Sequence, residues 1–310
     1  FGVGFYAPFG LGTEWPAGWD GRFVAGKTDL QNLALNPTIA YKVSEQFMIG
    51  AGMSITFSSV KMAYDLATLP GAPPGHIALD ATGNGYSFDL GAIFKPMPEM
   101  SIGASYRHST TVDYEGTAEF SNMGAVLTPL FPGGTGKTTI KAPGQFFVGL
   151  AYDLSKDITL EADYQWIGWS SYDTLAVELP DGPAAPPALG GRPLQKSSKA
   201  GKNWGDAYML RLGGEYRHND LTFRLGFIYD ASGQPAETVE PLLPDANRVE
   251  GTIGIGYKFT ECWSVDVAYQ LIKFSDRTVT GPPPTGDLNK FPGTYKSSAN
   301  LFGLSIGYGL

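Results

Sequence analysis

Nucleophilic catalysis needs a nucleophile held against a base, and the sequence offers one tempting pair, His108 followed by Ser109. On a strand, adjacent side chains point to opposite faces, so these two cannot cooperate. His76 and His218 are scattered and Cys262 stands alone. Neither a metal cluster nor an internal disulfide can be assembled from them, and no cofactor is expected. The run Gly133-Gly134-Thr135-Gly136-Lys137-Thr138 echoes a phosphate-binding loop but sits in a long loop and opens no helix. The chain is therefore not expected to be an enzyme. What remains is a set of charges embedded in alternating segments: Asp89, Arg107, Glu161, Asp163, Arg211, Glu215, Arg224, Glu250 and Asp266. Their signs are mixed, so the chemistry open to them is ion pairing with one another.

The elements that carry these charges read as strands. From Phe47, the odd positions are Phe47, Ile49, Ala51, Met53, Ile55 and Phe57, and the positions between are Met48, Gly50, Gly52, Ser54, Thr56 and Ser58. One face is greasy and the other small and polar, the period-2 signature of a strand with unlike faces. The same alternation recurs at 86–95, 158–166, 221–229, 249–259, 263–271 and 302–309. Weaker versions at 1–12, 29–43, 101–116, 138–154 and 206–217 bring the expectation to twelve strands, with no helix.

The connections separate a membrane sheet from a soluble one. Short turns at 43–46, 96–99, 155–157, 218–220 and 260–261 alternate with long Pro/Gly-rich loops near 13–28, 65–83, 117–137, 170–204, 231–247 and 275–297. Short turns on one rim and long loops on the other are the build of an outer-membrane barrel. Aromatic residues near strand ends (Tyr41, Tyr152, Trp166, Tyr257, Trp263 and Tyr308) suit the two membrane interfaces. No run of 18 apolar residues exists, which excludes a transmembrane helix but not a barrel. The net charge of −8 argues against nucleic acid as a partner. A charge on the lipid side at mid-depth costs about 2–4 kcal/mol, so the charged positions above are expected to line the lumen. The expectation is an all-β, antiparallel transmembrane barrel, with 1–310 as a single domain.

The first strand is odd. Pro8 has no N–H for a ladder, and Gly10 and Gly12 follow it closely. Either the wall has a gap at this kink, or the strand simply ends near Ala7 and enters its loop.

Several stretches resemble the FadL/TodX family of outer-membrane transporters of long-chain fatty acids and aromatic hydrocarbons. They are Tyr6 through Trp15, Lys27 to Leu30, Leu35-Asn36-Pro37 to Ala40-Tyr41-Lys42, Gly205 to Tyr208 with Leu212-Gly213, Thr222-Phe223-Arg224 with Gly226, and Leu301-Phe302-Gly303. The resemblance implies a fourteen-stranded barrel plugged by an N-terminal hatch, matched here from its third strand onward. On that reading the hatch and two strands are not in this sequence, and the sheet has two open edges. It implies a lateral wall opening at the kink, formed by Pro8, Phe9, Gly10, Leu11 and Gly12. It places a head-group lysine among Lys196, Lys199 and Lys202, while a second basic partner would fall near Tyr64 and is not retained. Implied partners are hydrophobic small molecules, outer-membrane lipid and lipopolysaccharide, with the protein a monomer in the bacterial outer membrane. A general diffusion porin for small polar solutes is the alternative.

Overall fold

The computed structural model describes residues 1–280 and 291–309. The alternating segments become antiparallel strands. β1 (Gly2–Tyr6) and β2 (Gly10–Glu14) together form one edge, followed by β3 (Lys27–Lys42), β4 (Phe47–Leu66) and β5 (Gly75–Met97). Next come β6 (Met100–Arg107) with β7 (Thr110–Ser121), and β8 (Gly134–Ala142) with β9 (Gln145–Asp153). β10 (Ile158–Ile167) is extended by β11 (Thr174–Glu178), and β12 (Ser198–Gly201) leads into β13 (Ala207–His218). β14 (Leu221–Asp230), β15 (Arg248–Lys258) and β16 (Trp263–Phe274) follow. β17 (Arg277–Val279) and β18 (Gly293–Tyr295) form a separate hairpin before β19 (Ser298–Tyr308).

Each stave pairs with the next in chain order, from β1 and β2 on β3 to β16 on β19. Among the described residues no pairing joins β19 to β1 or β2, so the sheet is not closed. It nevertheless curls. The ring of Phe9, beside β2, meets Trp169, beyond β10, at 5.8 Å. The Arg107 guanidinium lies 5.1 Å over the Tyr6 ring. Trp15 donates its indole N–H to the Pro241 carbonyl at 3.0 Å. These contacts cross the concave side and fix which face is inner.

The outer face of the lower half is greasy. Phe57, Leu90, Leu225, Ile253 and Leu304 are all exposed there, as a lipid-facing band requires. Trp263 and Tyr308 pack with ring centroids 4.7 Å apart at the short-turn rim. The short turns fall where the sequence puts them. In one of them Asn219 takes a left-handed φ of 52°, a conformation an Asn side chain tolerates.

Departures on the long-loop side include the hairpin of β17 and β18 inside the loop expected at 275–297, and three more. β4 and β5 run on to Leu66 and from Gly75, well into the stretch expected to be loop at 65–83. The 117–137 stretch contains a single helical turn, α1 (Gly124–Leu127), where no helix was expected. The 170–204 stretch adds two short strands, β11 and β12. These upper strand segments rise above the greasy band, so their outer positions are polar and the pattern used to find strands fades. Residues 281–290 of the last expected loop, and Leu310, lie outside the described residues.

Candidate functional site

The kink is a real break in the first stave. β1 pairs with β3 from Gly2↔Thr38 to Tyr6↔Ala34, whereas β2 starts at Gly10↔Gln31. Three residues, Ala7 to Phe9, therefore face two, Asn32 and Leu33, which is a one-residue bulge. Pro8 brings no N–H to this segment. The Phe9 carbonyl is taken up by the buried Asn32 side chain, whose Nδ2 donates to it at 3.3 Å. The break is thus held in place by a dedicated partner.

Pro8, Phe9, Gly10 and Leu11 line one wall of a cavity of about 440 Å³. Its other walls include Leu30, Val60, Met62, Leu79, Val112, Tyr114, Ile140, Leu175 and Val177, with Trp169 and Trp204. A change of phase in the alternation creates this apolar lining. Up to Phe57, β4 carries its large apolar residues outside. Beyond Ser58, the apolar residues Val60 and Met62 face inward and Lys61 faces outward. Lys61 pairs with Asp80 at 3.4 Å, and the neighbouring staves repeat the arrangement with Lys27–Glu14 at 3.0 Å and Lys137–Glu115 at 3.1 Å. Above the lipid the outer surface is wet, so charge is cheap there and the apolar residues turn in.

A polar layer lies beneath. Asn36 Nδ2 donates to Ser54 Oγ at 2.7 Å and also to Asp89, and Arg107 Nε donates to Asp89 at 2.9 Å. A small pocket of about 20 Å³ sits beside this layer, lined by Phe9, Asn32, Ser54 and Arg107 among others. Below it the interior opens to about 890 Å³, beside Glu161, Asp163 and Arg211. Asp163 and Arg211 sit opposite each other in register, and Arg211 donates to Gln165 at 2.6 Å. Arg224 bridges Glu215 at 2.7 Å and Asp266 at 2.5 Å, and Glu250 accepts from Gln270 and lies 3.4 Å from Arg248. Asp89 with Arg107, Glu215 and Asp266 with Arg224, and Glu250 with Arg248 are thus paired, while Glu161 and Asp163 lie beside Arg211 without a direct ion pair among the described contacts.

The three candidate lysines all border one upper cavity but differ in exposure. Lys196 is exposed, and so is Lys199, which pairs in register with Ala176 and shares its face rather than that of Leu175 and Val177. Lys202 is buried against Glu240 as an ion pair, both side chains about 5% exposed or less. The pair lies in the wall of that cavity, of about 790 Å³, which also includes Tyr64 and Leu175. Burial, then the Glu240 charge, raises the Tyr172 hydroxyl above its ordinary pKa and pushes Tyr295 up to about 12. Deeper in, Arg248 faces three carboxylates: Asp230, Asp245 at 3.1 Å and Glu250 at 3.4 Å.

A family model described as outer membrane protein transport protein (OMPP1/FadL/TodX) matches residues 1–309. The chain belongs to this family. Outer membrane protein P1 of Haemophilus influenzae is 24% identical over 341 residues, covering 99% of this chain and 71% of that protein. The long-chain fatty acid transport protein of Escherichia coli K12 is 25% identical over 304 residues, covering 86% of this chain and 66% of its own length. Among solved structures, a Pseudomonas aeruginosa FadL homologue superimposes with a TM-score of 0.85 at 20% identity, over 99% of this chain and 74% of that one. The Ralstonia pickettii toluene transporter TbuX gives 0.71 at 21% identity, over 99% and 77%.

As a FadL/TodX-family member the chain is an outer-membrane transport protein. Sequence reasoning found the kink but missed the cavity wall and Glu240. The wall was findable from the phase inversion between Phe57 and Val60. Nothing local to Glu240 marks it, because its partner lies 38 residues away.

Proposed function

We propose that the chain carries hydrophobic compounds passively across the outer membrane, taking them into the apolar cavity and releasing them sideways through the wall at Pro8, Phe9, Gly10, Leu11 and Gly12. The observation that carries this reading is the coincidence of three features in one place: an apolar cavity, a break in the strand that walls it, and a bonded polar floor below. An apolar solute would have to break the Asn36–Asp89–Arg107 layer to continue along the axis, whereas the break offers an apolar way out. The relatives named for long-chain fatty acid and toluene transport support the two solute classes, long-chain fatty acids and aromatic hydrocarbons. In this reading the protein works as a monomer, its greasy face in lipid and lipopolysaccharide.

The test is uptake of labelled oleate and labelled toluene by cells lacking their own transporter and expressing the intact protein. Uptake of either supports the reading. If neither is taken up from a correctly assembled barrel, and planar-bilayer recordings show a wide, steady conductance, the general porin replaces it.

A further inference from the structure

Two cations along the proposed route, Lys202 and Arg248, are held by the protein's own carboxylates. Lys202 and Glu240 form a buried ion pair in the wall of the upper cavity, and Leu242 borders both that cavity and the deeper one. In the deeper cavity Arg248 is outnumbered by Asp230, Asp245 and Glu250. A buried ammonium that lost its carboxylate would need another anion, since an uncompensated buried charge is strongly unfavourable. Part of the cavity lining is apolar, with Leu66, Leu79, Phe120, Phe131, Leu175 and Val177, and part carries polar residues such as Gln195, Ser197 and Asn203. An amphiphile with an anionic head and a greasy tail would satisfy both the ammonium and the apolar wall. Glu240 occupies the head-group position of that arrangement.

We propose that Glu240 is a specificity-determining residue. By neutralising Lys202 from within the chain, it makes the route favour uncharged hydrophobic solutes and disfavour carboxylates. This rests on the transport reading above and names the residue that sets solute charge for it. A carboxylate arriving in the wild-type cavity meets Glu240 as well as Lys202, and deeper in meets an Arg248 already engaged by Asp230 and Asp245. The attraction of one is offset by repulsion from the other. Removing only the Glu240 charge leaves Lys202 to recruit a carboxylate through a charge-assisted hydrogen bond.

The experiment compares initial uptake of labelled dodecanoate and labelled toluene in cells lacking their own transporter. The variants are wild type, Glu240→Gln, Glu240→Ala and the double change Lys202→Met with Glu240→Leu, all in the intact protein. Folding is checked by the mobility shift of unheated barrels on gels. Glu240→Gln keeps size and hydrogen-bonding capacity, so it serves if the alanine variant fails to assemble. The expected result is a dodecanoate-to-toluene uptake ratio raised at least about tenfold in the single variants, the order of one charge-assisted contact. In the double variant the ratio returns to the wild-type value or below, because the cation has gone as well. An unchanged ratio in folded Glu240→Gln, a double variant as permissive as the single, or wild type taking up dodecanoate as readily as toluene each overturns the proposal. Failure of wild type to take up toluene and dodecanoate alike instead overturns the transport reading beneath it.

Discussion

Gly10→Val tests the wall opening with folding held aside. Gly10 pairs with Gln31 at the first rung of β2, directly after the break. A Cβ built there would meet nothing nearer than the Leu30 carbonyl oxygen at 3.7 Å, which is ordinary contact. Valine in a strand lacks the backbone-entropy cost of glycine and suits the pleat, so stability should hold or rise by about 0.5–1 kcal/mol. Transport should respond in the opposite sense. The added isopropyl group stands at the mouth of the opening, and pushing a solute past it resembles overpacking a core, at about 1–3 kcal/mol. Initial uptake should therefore fall roughly 5- to 150-fold. The assay is uptake of the labelled solute that wild type carries, normalised to folded protein at the cell surface. Gly251→Val is the matched control, since Gly251 also has open space around it and lies on β15. Uptake within twofold of wild type, from a fully folded Gly10→Val protein, would remove the lateral exit.

Ile253 is 57% exposed on the greasy face, between Leu225 and Tyr269 in register. Ile253→Arg should cost about 2–4 kcal/mol in urea titrations of protein folded into phospholipid vesicles. Ile253→Ala isolates the loss of side chain from the added charge, and equal effects of the two would mean that the faces are assigned the wrong way round. Asn32→Leu deletes the bond to the Phe9 carbonyl, should cost about 1–3 kcal/mol by leaving that carbonyl unpaired, and should slow uptake; wild-type rates would show that the break needs no support. Tyr295 has its pKa raised from 10.0 to about 12, so its contribution to stability is complete below pH 10 and is lost as the pH climbs through about 12. The tyrosinate absorbance difference between wild type and Tyr295→Phe should have its midpoint near pH 12, and a midpoint near 10 would show that the hydroxyl is not buried beside a negative charge.

Much of the fold could be read from the residues because the information is local. A strand inside lipid must alternate greasy and polar every 3.3 Å or so, and segments such as Phe47–Ser58 show it without reference to anything distant. The short turns, the aromatic rims and the Pro8–Gly12 irregularity are local in the same sense. So is the placement of Asp89, Arg107, Asp163 and Arg224 away from lipid, which follows from the cost of exposing a charge there. Above the lipid the constraint reverses, and the same rule that found the lower strands undercounted the upper ones.

The site itself was settled by curvature. Alternation says which side of a strand a residue takes, but not which residue of another strand it will meet. Phe9 reaches Trp169, Trp15 reaches Pro241 and Lys202 reaches Glu240 only because the sheet bends far enough to bring separated staves and their loops together. A cavity is a property of that closure. The apolar lining at the kink was written into each strand separately, while its volume, its polar floor and the Lys202–Glu240 pair of the upper cavity exist only once the strands curl round a common space.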